Sequence, residues 1–128
     1  MPSRLLAAKQ LAELFKALAH PDRIRLVEEL RQEELDVHTL AERLDLPDPR
    51  VSQHLAVLRA HMIVEERKEG RHVYYHLSDD ALSDWVLDGL RFLEGRLSRD
   101  MSQLAAAHEA HAMWTNEETT TDGFNSNH

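Results

Sequence analysis

Residues 48–77 read Asp48-Pro49-Arg50-Val51-Ser52-Gln53-His54-Leu55-Ala56-Val57-Leu58-Arg59-Ala60-His61-Met62-Ile63-Val64-Glu65-Glu66-Arg67-Lys68-Glu69-Gly70-Arg71-His72-Val73-Tyr74-Tyr75-His76-Leu77. Partway along, the apolar period changes from 3.6 to 2. Val51, Leu55 and Leu58 stand at i, i+4 and i+7, the buried stripe of a helix that runs to Ala60. Asp48 is placed to cap that helix, with Pro49 at its first position. Residues 63–67 and 73–77 then alternate as two strands, with Lys68, Glu69, Gly70 and Arg71 turning between them.

Upstream, the same arithmetic gives three more helices. Leu5, Leu11, Leu14, Phe15 and Leu18 mark the first, over 5–18. The residue before a proline leaves the α region, so Ala19-His20-Pro21-Asp22 breaks it, and His20 reads as a capping or packing residue. A second helix covers 22–32, and a third covers 36–44 with Asp36 as its cap. Downstream, Leu82, Val86, Leu90, Leu93, Leu97, Met101 and Leu104 step by 4, 4, 3, 4, 4, 3, a coiled-coil-like seam on a long last helix. The expected fold is mainly α with a small β-hairpin, a winged helix-turn-helix over 1–114. Residues 115–128 are polar, lack periodicity and are expected to be a disordered tail.

Composition narrows the function. The chain has 128 residues, no cysteine and four glycines. Thiolate metal sites, cysteine nucleophiles and Gly-rich phosphate loops therefore fall away. No nucleophile–base pair or metal triad is visible, so no enzyme is expected. No apolar run approaches the roughly 18 residues of a membrane span, and no signal peptide is visible, so a cytoplasmic protein without a membrane partner is expected. The net charge of -8 is uneven. Residues 1–21 carry +2 and residues 47–78 carry +1, whereas 22–46 carry -4 and 79–128 carry -7. An anion-binding surface belongs in the middle segment.

That surface can be drawn residue by residue. With the stripe inward, Pro49, Arg50, Gln53, Ala56 and Val57 point out. Small side chains there permit close approach to a major groove, and Arg50 and Gln53 donate to base edges or phosphates. Ser52 and His54 flank the stripe. His54 is read first as packing beside it, and second as a DNA contact. At the hairpin tip Arg67, Lys68, Arg71 and His72 are placed for the DNA backbone or the minor groove, and Arg59 at the end of the helix is a further candidate DNA contact.

The segments Leu14–Leu26, Val51–Arg59 and Gly70–Leu77 together resemble ArsR/SmtB-type repressors: their opening, their recognition helix and their wing. The resemblance covers about residues 10–95 in one register. It implies a homodimeric transcriptional repressor that pairs through its first and last helices. Leu11, Phe15, Leu82, Val86, Leu90, Leu93 and Leu97 would line that interface. Such a dimer would bind a pseudo-palindromic operator in double-stranded DNA and be released by a signal the sequence does not name. A winged-helix protein-interaction module that does not bind DNA is the alternative, suggested by the acidic balance and by Glu65 and Glu66 on the first wing strand.

The chain departs from the family pattern in three places. Met62 stands where the family usually has a glycine in the left-handed conformation, so a different helix ending is expected. A Cys-Val-Cys metal motif is matched by Asp36, Val37 and His38. An Asp-x-His pair in the last helix reads Asp79 and Ala81, and the first of its later histidines reads Phe92, so that site is lost. Without thiolates, arsenite, cadmium and mercury have no soft ligand. Any ion bound would be Zn- or Ni-like, at His108 and His111, which continue the seam at i, i+3, or at Asp36 and His38.

Overall fold

The computed structural model describes the backbone of residues 2–126 and the side chains of residues 3–114. The chain divides into two compact units, Met1–Leu87 and Asp88–His128. Its elements are α1 Pro2–Leu18, α2 Pro21–Glu29, α3 Val37–Leu44, α4 Asp48–Ala60, β1 Val64–Glu69, β2 His72–Leu77 and α5 Ala81–Ser126. The backbone of α5 thus continues through most of the tail expected to be disordered, while the side chains from 115 onward and residues 127 and 128 lie outside the described residues.

Turn chemistry sets the helix ends in the first unit. His20 is extended and its Nδ1 accepts from Asp22 N at 3.1 Å, which caps α2 with Pro21 in its first turn. Asp36 Oδ1 accepts from Thr39 N at 2.8 Å and caps α3; hydrogen bonding to the Thr39 side chain, and then this backbone bond, hold its carboxyl below the usual range. The α4 cap differs from expectation. Pro47 holds the cap position without a side-chain bond, and Asp48 is already helical. Its carboxylate instead meets His38 Nδ1 at 3.5 Å.

The end of α4 also corrects the sequence reading. Met62 closes the helix in the left-handed conformation after all, with φ at 58°. Met62 N donates to Arg59 O at 3.0 Å and Ile63 N to Leu58 O at 2.9 Å, the paired bonds of a Schellman ending. Leu58 and Ile63, the apolar pair of that motif, are both buried. The hydroxyl of Ser78 donates to the carbonyls of Met62 and Ile63. Met62 itself is 80% exposed, so its side chain adds little packing to offset the left-handed backbone. Met62→Gly is therefore expected to stabilise the fold by about 0.5–1 kcal/mol. A lower midpoint of thermal unfolding would refute this.

The hairpin pairs Val64 with Leu77 through to Glu69 with His72. This leaves a two-residue turn, Gly70-Arg71, with φ of 61° at Gly70, where a glycine is needed. A further bridge was not foreseen. Leu35 and Tyr75 exchange backbone bonds of 3.1 and 2.9 Å, joining the α2–α3 link to β2. The core of this unit gathers Leu26, Val27, Leu30, Leu35 and Leu40 with Val51, Leu55, Leu58, Ile63 and Leu77.

Leu82 belongs to that same core, and Val86 packs against it. These two seam positions bury themselves in their own unit instead of being offered to a second chain. From Leu90 onward the seam is open. Leu90, Leu93, Leu97, Met101 and Leu104 are all exposed on α5, as are Leu5, Leu11 and Phe15 on α1. Among the described residues, no helix is long and apolar enough to cross a membrane.

Candidate nucleic-acid interface

Helix α4 turns Val51, Leu55 and Leu58 fully inward. The opposite face follows from the 3.6-residue period: Arg50, Ser52, Gln53 and Ala56 are exposed on it. Arg50 and Gln53 can donate to acceptors, and Ser52 and Ala56 beside them are small. The outer end of the hairpin carries Lys68, Arg71 and His72, all exposed. Lys68, Arg71 and Arg50 make no ion pair among the described residues. The His72 ring lies 6.1 Å from that of Tyr74.

Other residues assigned to this surface are held elsewhere. His54 turns in, with 13% of its side chain exposed. Its Nδ1 accepts from Arg23 Nε at 3.3 Å, its Nε2 stands 3.5 Å from Asp22 Oδ2, and its ring lies 4.4 Å from that of His20. Arg23 also donates to Ala17 O at 2.9 Å. Burial, and then the like charges of His20 and Arg23, holds the His54 imidazole below its usual range. It is a peg that fixes α4 against the α1–α2 corner. The sequence stripe suggested its packing role; its partners came from tertiary structure.

Two arginines are matched by carboxylates. Arg59 Nη2 lies 3.2 Å from Glu66 Oε1. Arg67 Nε donates to Glu34 at 2.7 Å and its Nη1 to Glu69 at 3.0 Å, with the guanidinium 5.0 Å above the Tyr74 ring. The part played by Glu34 was missed. A signal was there in Leu35, a lone apolar residue inside the acidic run Glu33 to Asp36, and it proves buried.

The candidate metal ligands fare differently. Asp36 is used by its cap, and His38 lies between Glu42 and Asp48 at 3.5 Å from each, so the two do not form a pair of ligands. His108 and His111 are exposed on α5 in the second unit. An unforeseen group, His20, Asp22 and His54, has ligand atoms within 4.8 Å of one another and could hold an ion by spacing. Its surroundings are wrong for one. Ligating imidazoles donate their second nitrogen to an acceptor. Here Asp22 N–H and Arg23 Nε–H are aimed at both Nδ1 atoms, so an ion could enter only after both bonds broke.

A two-helix corner braced by α2, a recognition helix with a polar outer face and a basic hairpin define a winged helix-turn-helix regulator. The model of the bacterial regulatory protein, arsR family, matches residues 20–66. The HTH-type transcriptional repressor SmtB of Mycobacterium tuberculosis is 45% identical over 78 residues, covering 61% of this chain and 58% of that protein. The biofilm growth-associated repressor of Agrobacterium fabrum is 40% identical over 80 residues, covering 62% of this chain and 68% of that protein. Among solved structures, reduced HlyU from Vibrio cholerae superposes with a TM-score of 0.64 at 32% identity, covering 72% of this chain and 97% of the other. The transcriptional repressor BigR from Xylella fastidiosa gives 0.62 at 29% identity, covering 74% and 94%. The chain belongs to the ArsR family of bacterial regulatory proteins. It spans under two thirds of the length of the SmtB relatives, 58% of the mycobacterial protein and 55% of the Synechocystis homolog.

Proposed function

We propose that this protein is a homodimeric transcriptional repressor that reads a pseudo-palindromic operator in double-stranded DNA and is released by a signal still to be identified. The observation that carries the reading is the outer face of α4, where Arg50, Ser52 and Gln53 stand exposed over a fully buried stripe. Lys68 and Arg71 supply cations at the hairpin end for the backbone on either side. These unpaired bases favour DNA over a protein-interaction role for the same surface. Pairing through α1 and α5 is supported by the open apolar positions on each: Leu11 and Phe15 on one, and Leu90, Leu93 and Leu97 on the other. A two-fold dimer then matches two half-sites one helical turn apart, roughly 34 Å.

Arg50→Ala and Gln53→Ala are expected to weaken binding to the protein's own upstream region more than to random DNA, by about 1–3 kcal/mol of discrimination each. Lys68→Ala and Arg71→Ala should weaken both DNAs alike, because contacts to phosphate carry no sequence. Anisotropy titrations at fixed salt measure this. Equal losses on both DNAs for the Gln53 variant would remove it from base readout.

A further inference from the structure

Arg67 sits on the wing strand, yet its charge is already spent. Glu34 reaches it from outside the hairpin, with Nε to Oε2 at 2.7 Å, and Glu69 closes the other side at 3.0 Å. Glu34 is not a loose surface side chain that happens to swing past. Its neighbour Leu35 is buried and tied to Tyr75 by two backbone hydrogen bonds, which holds Glu34 at the root of the wing. The second Glu34 oxygen stands 3.8 Å from His76 Nδ1, a buried atom without a hydrogen-bond partner. The π face of Tyr74 supports the guanidinium from below.

We infer that Glu34 is an affinity-setting residue that competes with DNA phosphate for Arg67. The inference rests on the DNA-binding reading above. A phosphate and a carboxylate compete for the same guanidinium charge, and Arg67 already gives Nε to Glu34 and Nη1 to Glu69, so a phosphate takes those two donors only by displacing the carboxylates. The exchange leaves a free carboxylate beside the DNA, and the local charge added to the complex is close to zero. The DNA therefore keeps the counterion that an unmatched arginine would have released. Binding at the wing is then weaker, and less steeply dependent on salt, than the number of basic residues implies. Among the described residues Lys68 and Arg71 have no such carboxylate, and they contribute fully.

The experiment is a salt titration of binding to a random-sequence duplex, using the full chain and the variants Glu34→Gln, Arg67→Ala and the two combined. Glu34→Gln is expected to tighten binding roughly two- to fivefold, the range that an exposed ion pair spans. It should steepen the slope of log K against log salt by about 0.9, one phosphate's worth. Neither change should appear when Glu34→Gln is made on the Arg67→Ala background, which separates competition for Arg67 from simple removal of a negative charge. Glu69→Gln, which leaves the Leu35–Tyr75 bridge untouched, should shift the slope the same way; with circular dichroism on each variant, it keeps the test decisive if Glu34→Gln folds poorly. An unchanged slope in both glutamine variants overturns the inference, as does an equal gain on the Arg67→Ala background. If the unmodified protein binds neither this duplex nor its own upstream region at low salt, the repressor reading itself fails.

Discussion

Replacing Leu90 and Leu93 together by Glu is expected to convert the proposed dimer to a monomer and to abolish operator binding. Both side chains are exposed in the single chain and belong to no core cluster, so the first unit should keep its helical content and its unfolding transition. Burying a leucine in an interface contributes about 1.5–3 kcal/mol. Losing two in each protomer removes more than most dimers of this size can spare, and the introduced carboxylates would also have to be desolvated. Operator binding goes with it, because one recognition helix reaches only one half-site. Sedimentation at micromolar concentration reads the change directly. A stable monomer for the unmodified protein would refute the pairing, and a dimer that survives both substitutions would move it elsewhere.

Leu55→Ala is expected to cost about 2–5 kcal/mol of folding stability, the range for emptying a leucine-sized volume in a packed core. Leu55 is completely buried in the middle of the α4 stripe, between Val51 and Leu58. The same helix carries the proposed reading surface, so the loss should appear in DNA affinity as well as in the denaturant midpoint. Ser52→Ala, three residues earlier on the exposed side, is the control and should stay within about 0.5 kcal/mol of the unmodified protein in stability. A midpoint for Leu55→Ala indistinguishable from that of Ser52→Ala would mean that the buried stripe does not hold α4 in place.

The two substitutions separate what periodicity can and cannot report. Leu55 and Leu90 both lie on an apolar repeat, and both read as buried from sequence. Within one chain they differ, because Leu55 is fully buried in the core of the first unit while Leu90 is left partly exposed and outside that core. Leu82 and Val86 make the opposite point. They share the seam with Leu90 and were assigned to the same interface, yet the first unit takes them into its own core. A repeat records which side of a helix avoids water, not whose surface removes the water.

The order of elements, the break at His20 and Pro21, the Asp36 cap and the inward stripe of α4 were all determined by the sequence. Each rests on interactions within a few residues: a side chain bonding to a nearby backbone N–H, a proline that forbids one dihedral, a 3.6-residue period. Tertiary structure alone decided the rest. Met62 takes a left-handed backbone because Ile63 must turn back onto Leu58 and Ser78 holds the exposed carbonyls. His54 points at Arg23, thirty-one positions away, and not at a groove. Arg67 finds Glu34 across a separation of thirty-three, because the Leu35–Tyr75 bridge brings the α2–α3 link to the wing. Partners so distant leave no periodic trace, since a charge on a solvated strand looks the same in sequence whether it faces phosphate or a carboxylate of its own chain.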